Sequence, residues 1–220
     1  MSLLTVDGVP MDQAGAAALF KEASDLGLAP ASHSLGCLYV EGLGVPKDPA
    51  KAAEYFRAGA EQGFAPSLYS RGIVLFNGDG VPADKPAAAA LFKLAAGQGH
   101  EDSVHNLAVM LANGDGVPAD KEEAARLYRR EADLGLTEAM RSLALMLCEG
   151  DGVPMDKAEA ARLHKKAAEG GDGLAAYALG RMLFAGDGIP VDKAEAVSLL
   201  KTAADLDEPA AAAVLRGLGI

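Results

Sequence analysis

The chain has 220 residues, of which 50% are hydrophobic and 5% aromatic, and it has no tryptophan. It carries 20 Lys and Arg against 31 Asp and Glu, a formal net charge of −11. This acidity argues against nucleic acid or anionic lipid as the main partner, because both attract clustered positive charge. The 45 alanines favour closely packed helices over a sheet.

Neither the N-terminus nor any apolar stretch indicates a membrane protein. The first ten residues contain no Lys or Arg and no long apolar run, so they do not form a secretory signal as written. No apolar stretch reaches the roughly 20 residues that span a bilayer, so we expect no membrane insertion. The cytoplasm is the default compartment, and the periplasm or the exterior remains open if a signal peptide has been removed.

A Gly-Val-Pro or Gly-Ile-Pro tripeptide recurs along the chain at a constant interval of 36 residues. Its prolines are Pro10, Pro46, Pro82, Pro118, Pro154 and Pro190. The longer phrase Asp-Gly-Val-Pro-x-Asp-Lys is complete in three copies, which begin at Asp79, Asp115 and Asp151. A fixed period of this length indicates a repeat architecture, so one set of predicted elements applies to every repeat.

The helix predicted after each Gly-Val-Pro turn opens with an aspartate, whose carboxylate can cap the first turn. These aspartates are Asp12, Asp48, Asp84, Asp120, Asp156 and Asp192. Three repeats have a glutamate three residues later, at Glu123, Glu159 and Glu195, which predicts a capping box. A glycine of positive φ is expected to close this helix in five repeats, and Asp207 stands at that position in the last.

Apolar positions in both helices recur at the spacing of a helix that packs on one face. The helix after the aspartate carries an aromatic column, read as Phe20, Phe56, Phe92, Tyr128, His164 and Leu200. The next helix carries a leucine column, and beside it a column of small residues that should let two helix backbones approach closely. The small residues are Gly36, Gly72, Ala108, Ala144 and Gly180.

The phrase Ala-x-x-x-Leu-Gly…Gly-x-Gly-Val-x-x-Asp-x-x-Lys-Ala…Ala-Ala-x-x-Gly resembles the Sel1-like repeat, a relative of the tetratricopeptide repeat. In the family frame the repeats are 29–64, 65–100, 101–136, 137–172 and 173–208, with a half repeat at 7–28 and a terminal helix at 209–220. The resemblance implies one all-α domain over 1–220, a right-handed superhelical α-solenoid of antiparallel helix pairs. Departures from the pattern are Arg71, Glu131, His164 and Asp207.

We find no sequence motif for catalysis, a metal or a cofactor, so we expect a protein that is not an enzyme and takes no cofactor. The loop from Asn77 to Asp84 superficially resembles a calcium loop, but Val81 and Pro82 occupy its middle and favour a tight turn. Cell-wall or β-lactam hydrolysis, which has been attributed to cysteine-rich relatives, is kept as an alternative. The two cysteines, Cys37 and Cys148, do not reproduce the cysteine pairs of those relatives.

In the family frame each repeat opens with the helix that carries the leucine column, which is therefore its first helix. Three positions in this first helix vary between repeats while the rest of the pattern is kept. The resemblance implies that they line the concave groove of the superhelix and contact a protein or peptide partner. The candidate residues are His33, Tyr69, Phe76, His105, Arg141, Tyr177, Arg181 and Phe184. The other interpretation is that they fill space between neighbouring first helices. A structural part of a larger protein is a further alternative, and the oligomeric state is not predicted.

Overall fold

The computed structural model describes residues 5–6, 9–10 and 12–220 of the chain. This part contains twelve helices, preceded by a pair of two-residue antiparallel strands, Thr5–Val6 and Val9–Pro10. The helices are α1 (Gln13–Asp25), α2 (Ala29–Glu41), α3 (Pro49–Glu61), α4 (Ala65–Asn77), α5 (Lys85–Gly97), α6 (Glu101–Asn113), α7 (Lys121–Asp133), α8 (Thr137–Glu149), α9 (Lys157–Glu169), α10 (Gly173–Ala185), α11 (Lys193–Asp205) and α12 (Pro209–Gly217). The first Gly-Val-Pro copy begins at Gly8, outside the described residues.

The chain divides into two compact units, Met1–Leu107 and Ala108–Ile220, called unit 1 and unit 2 below. In unit 1 the helices from α1 to α5 pack in sequence, α1 on α2 through α4 on α5, and α2 also packs on α4. In unit 2 the helices from α7 to α12 pack in the same sequential way. This stacking of helix pairs confirms the predicted all-α solenoid class. The even-numbered helices from α2 onward are the first helices of their repeats, and the odd-numbered ones are the second helices.

All six predicted aspartate caps are confirmed. The six caps are Asp12, Asp48, Asp84, Asp120, Asp156 and Asp192. In each, a carboxylate oxygen accepts a hydrogen bond from the backbone N–H three residues later, at 2.8 to 3.1 Å. These bonds satisfy first-turn donors that have no partner within the helix. The recurring aspartate therefore fixes where each second helix begins.

The capping boxes predicted at Glu123, Glu159 and Glu195 form only one of their two bonds. The backbone N–H of the cap aspartate does not wait for the glutamate, because Asp156 N–H donates at 3.0 Å to a backbone carbonyl of α8. Glu159 and Glu195 pair with basic residues of the preceding repeat, whereas Glu123 pairs with Arg126 of its own helix. Arg129 Nη1 donates to Glu159 Oε1 at 2.6 Å. The prediction of a capping box is wrong because the cap N–H bonds a backbone carbonyl of the preceding helix and each glutamate pairs with a basic side chain.

The glycines predicted to close the second helices all have positive φ. They are Gly27, Gly63, Gly99, Gly135 and Gly171. In the last repeat Asp207 adopts the same left-handed conformation, with φ of 61°, and it is the one non-glycine residue among the described residues that does so. A side chain at this φ crowds the following carbonyl, at a cost of about 1 kcal/mol. The backbone therefore keeps the repeat geometry even where the sequence departs from it.

The small column of the first helices accommodates side chains of the second helices. A Cβ atom added to Gly36 would lie 2.6 Å from the ring of Phe56, and one added to Gly72 would lie 2.5 Å from the ring of Phe92. At Gly180 the neighbours are a leucine side chain at 3.1 Å and a backbone carbonyl at 3.2 Å. At Gly36 and Gly72 the nearest neighbour of the glycine is therefore a ring of the second helix.

Ion pairs join equivalent positions of successive repeats in unit 2. Lys121 Nζ lies 2.7 Å from Asp151, and Lys157 Nζ lies 2.6 Å from Asp187. Each lysine comes from one copy of the Asp-Gly-Val-Pro-x-Asp-Lys phrase and each aspartate from the next copy. These pairs are partly exposed and contribute about 0–1 kcal/mol each. They account for the recurrence of both charges in the phrase.

The core is built mainly from alanine and leucine, as the composition predicts, with three departures. Arg71, at a leucine position, is half-buried beside Glu61. Glu131, at an alanine position, is only 2% exposed. The apolar stripe predicted for α1 is not buried, because Leu19 is 67% exposed and Phe20 37%. No helix among the described residues combines the length and hydropathy needed to cross a bilayer.

Candidate partner-binding site

His33 and Tyr69 occupy equivalent positions on α2 and α4, and both are half-buried against aromatic rings. The His33 ring lies 5.6 Å from Phe56 and 5.9 Å from Phe64, measured between centroids. Tyr69 stacks on His100 at 4.7 Å. Burial lowers the pKa of His33 and raises the pKa of Tyr69. These two side chains therefore pack on aromatic rings of their own repeats, 29–64 and 65–100, and whether they also contact a partner stays a prediction.

Arg141, at the same position on α8, is bound within its own unit. Its Nε donates to Asp172 at 2.9 Å, and its guanidinium lies 3.7 Å from Glu138. The carboxylate that the sequence assigns to a peptide partner is thus supplied here by the N-cap aspartate of α10. The Arg141 side chain is 22% exposed. His105 and Tyr177, which complete this set, are half-buried on α6 and α10.

The aromatic rings of Phe76, Tyr177 and Phe184 each lie against a basic side chain. Lys85 Nζ lies 4.9 Å from the ring centroid of Phe76, and Lys193 Nζ lies 5.5 Å from that of Phe184. The guanidinium of Arg181 lies 5.7 Å from the ring centroid of its α10 neighbour Tyr177. Each contact stabilises its pair by about 0.5–1 kcal/mol at an exposed site. Arg181 is the exposed member of the predicted set.

In unit 1 a cavity of about 500 Å³ opens between the first helices α2 and α4. Cys37 and Val40 line it from α2, Tyr69 and Ile73 line it from α4, and Phe56 of α3 contributes a ring. These four residues lie at the variable positions, and other residues of α2 and α4 line the cavity beside them. We call this the unit-1 cavity. It shows that the variable positions of adjacent first helices share one opening.

In unit 2 a cavity of about 410 Å³ opens between α8 and α10. Leu145 and Cys148 line it from α8, Arg181 and Phe184 line it from α10, and His164 of α9 lies at the position that Phe56 has in the unit-1 cavity. We call this the unit-2 cavity. It repeats the first one three repeats further along the chain, with different side chains in the variable places.

His164 is the buried polar residue of the unit-2 cavity, with 1% of its surface exposed. Its Nδ1 atom has no hydrogen-bond partner among the described residues. Burial lowers the pKa of His164 to about 4, and Asp172 and Arg141 act on it in opposite directions. The ring is therefore neutral near pH 7, with one N–H donor and one acceptor nitrogen.

The described residues do not assemble an activated nucleophile or a metal site. Cys37 Sγ lies 3.7 Å from His33 Nε2, the kind of pair that cysteine hydrolases use. Burial raises the pKa of the Cys37 thiol, whereas a nucleophilic cysteine needs a lowered pKa. Among residues 12–220 no group of three metal-binding side chains comes together. In the loop considered for calcium, Asp84 caps α5.

The repeats of the chain match the Sel1 repeat over residues 6–28, 29–64, 65–100, 102–136, 137–172 and 173–208. The chain belongs to the Sel1 repeat family. Sel1 repeats generally serve as scaffolds for protein interactions. A search of curated proteins gives no match.

Solved structures share the Sel1 fold. A protective antigen of uropathogenic Escherichia coli, described as displaying an SLR fold, is 34% identical with a TM-score of 0.84, and the match covers 90% of this chain and 43% of the antigen. This chain therefore spans less than half of that relative. A Sel1 repeat protein from Oxalobacter formigenes is 28% identical with a TM-score of 0.79, covering 94% of this chain and 88% of the relative. One from Klebsiella pneumoniae, at 21% identity and a TM-score of 0.52 over 93% of this chain and 99% of that protein, shares the fold alone.

Sequence reasoning about the Sel1 repeats missed the floor of both cavities. It placed Phe56 and His164 in the packing column of the second helices, and the structure puts the same residues in the cavity walls. A detectable signal was present, because His164 is the one titratable imidazole in a column of phenylalanine, tyrosine and leucine. Of the predicted residues, Tyr69, Arg181 and Phe184 line a cavity.

Proposed function

We propose that this Sel1 repeat protein is a non-enzymatic scaffold that binds a peptide or protein segment at the variable face of its first helices. The observation that carries the proposal is that cavities of about 500 and 410 Å³ open at the same place in both units. Positions that vary between repeats contribute to both walls, beside packing-column residues such as Phe56 and His164, and the rest of the repeat pattern is kept. A scaffold needs this division between a constant frame and a variable surface.

The sizes and linings of the cavities suit side chains of a partner segment. Cavities of a few hundred Å³ with mostly apolar walls and a few polar groups are typical of ligand-binding sites. The unit-1 cavity presents Ile73 and Tyr69, and the unit-2 cavity presents Leu145, Phe184 and Arg181. Aromatic and arginine side chains are enriched among the residues that dominate binding energy. The predicted concave groove and the partner itself belong to this proposal.

The test selects ligands from a random linear peptide library on the immobilised chain and measures their affinities for single variants. Ile73→Glu and Arg181→Glu each place a negative charge in a cavity wall. Arg162→Glu makes the same charge change as Arg181→Glu at an exposed position of α9 in the same unit. Thermal unfolding of each variant checks that the fold is retained.

We expect each selected peptide to lose at least about tenfold in affinity in one of the two cavity variants, since cavity anchors commonly contribute more than 1 kcal/mol. The Arg162→Glu protein should bind as the wild type does. Selected peptides that bind Ile73→Glu, Arg181→Glu and the wild type equally would show that the cavities are not the binding surface, and the proposal would fail.

A further inference from the structure

The unit-2 cavity differs from the unit-1 cavity by having an unsatisfied polar group at its floor. Only 1% of the surface of His164 is exposed, and its Nδ1 atom has no hydrogen-bond partner among the described residues. The unit-1 cavity has Phe56 in this place, a ring without a polar atom. Buried polar atoms are nearly always hydrogen-bonded in proteins, so each exception requires an explanation.

The unit-2 cavity also has a positive charge, on Arg181, for which no carboxylate partner is found among the described residues. Arg181 is exposed, and its guanidinium lies over the face of the Tyr177 ring. Asp187 lines the same cavity, but its carboxylate is held by Lys157 at 2.6 Å. In the unit-1 cavity the place of Arg181 is taken by Ile73. Compared with the unit-1 cavity, the unit-2 cavity thus has an arginine in the place of an isoleucine and an imidazole in the place of a phenyl ring.

The remaining walls of the unit-2 cavity are apolar. They are formed by Leu145, Met182, Phe184, Leu200 and Val214 among others. A ligand suited to this lining has a short aliphatic part for the walls and an anionic group for Arg181. A carboxylate fits best, because its two oxygens accept hydrogen bonds from a guanidinium and from a second donor at the same time.

We infer that the unit-2 cavity binds a carboxylate carried on a short aliphatic chain of the partner segment, held by Arg181 and by the His164 Nδ1–H. The carboxylate is either an acidic side chain or the C-terminus of the segment. This inference rests on the proposed function and names the chemistry that one of its two cavities recognises. The neutral ring of His164 can supply the N–H without bringing a second charge into the buried floor.

Three small probes separate the sources of the carboxylate. N-acetyl-glutamate α-amide carries it on a side chain, N-acetyl-leucine carries it at the C-terminus, and N-acetyl-glutamine α-amide is the neutral match of the first. Each is titrated into the ¹⁵N-labelled full chain while the Arg181 Nε–H and His164 ring signals are followed by NMR. We expect at least one carboxylate probe to shift both signals and to bind at least about tenfold more tightly than the glutamine probe.

The variants Arg181→Ile and His164→Phe give the unit-2 cavity the residues of the unit-1 cavity. Each should reduce the preference for the carboxylate over the glutamine probe about tenfold, while the exposed control Arg162→Gln keeps it. Thermal unfolding again verifies the fold. Binding of the glutamate probe alone identifies an acidic side chain, and binding of N-acetyl-leucine alone identifies a C-terminus.

The inference is overturned if the glutamine probe binds as well as both carboxylates, or if either His164→Phe or Arg181→Ile leaves the preference intact. These outcomes are distinguishable from failure of the proposed function. If selected peptides depend on Ile73 and Arg181 but no carboxylate probe is preferred, the proposed scaffold function is supported and only the inference about the carboxylate fails.

Discussion

Replacing His164 by phenylalanine should remove an acid sensitivity from unit 2. His164 is buried and neutral, and burial lowers its pKa to about 4 in the folded chain. The replacement has precedent at the same position, because Phe56 and Phe92 are buried in their repeats and Tyr128 packs in one core cluster with Ala108. In the repeat of His164 the member of the small column is Ala144, an alanine like the Ala108 that packs with Tyr128, so an aromatic ring can be accommodated.

The size of the effect follows from the difference between the folded and unfolded pKa values. An unfolded histidine has a pKa of about 6.5, so below that pH the unfolded chain binds a proton that the folded chain binds only near pH 4. The free energy of unfolding therefore falls as the pH drops from about 7, and it levels off below about 4. Integrated over this window the contribution of His164 is about 3 kcal/mol.

The assay is urea unfolding of the wild type and of His164→Phe at a series of pH values from about 7 to about 4. Other groups titrate in both proteins, so the quantity compared is the difference in unfolding free energy between them. We expect this difference to change by about 3 kcal/mol in favour of the variant as the pH falls. His33→Tyr, at a half-buried histidine, should give a smaller change of the same sign. A difference that is independent of pH would refute the burial argument.

Three further substitutions test the packing. Leu143→Ala should destabilise by about 2–5 kcal/mol because Leu143 is 1% exposed, whereas Leu145→Ala, at 45% exposure on the same helix, should cost far less; equal losses in chemical denaturation would contradict the register. Gly72→Ala should cost about 1–3 kcal/mol because the added methyl meets the Phe92 ring, and Gly97→Ala, with open space around it, should be neutral or stabilising, as thermal unfolding can show. Asp207→Gly should stabilise by about 0.5–1 kcal/mol by relieving the positive φ, and a loss in urea unfolding would show that φ is not the source of strain.

The local features of the fold are predictable because they are written within one repeat. An aspartate at the start of a helix needs only its own backbone three residues later, so all six caps follow from the sequence. Asp207 adopts the conformation of the glycines that it replaces, since the repeat frame imposes that conformation. The capping box at Glu159 fails for the opposite reason. The Glu159 carboxylate pairs with Arg129 of the preceding repeat, and the local sequence pattern does not include that residue.

The candidate site was predictable as a set of positions but not as a set of cavities. The variable places on the first helices could be read from the repeat alignment. Which of these residues are free to contact a partner could not be predicted. Arg141 and Arg181 look alike in sequence, but Arg141 binds Asp172 whereas Arg181 is exposed. His164 was missed for a related reason: the sequence pattern shows that it belongs to the packing column, but it does not show that the same side chain lines a cavity.

The central claim, that a partner binds at the variable face of the first helices, is tested most directly by mapping a selected peptide on the wild-type chain. Backbone NMR signals are followed as the unlabelled peptide is added to the labelled protein. We expect the largest changes to cluster at the linings of the unit-1 and unit-2 cavities, around Ile73 and Arg181. Largest changes on the exposed second-helix positions, such as Arg162 and Lys201, would contradict it.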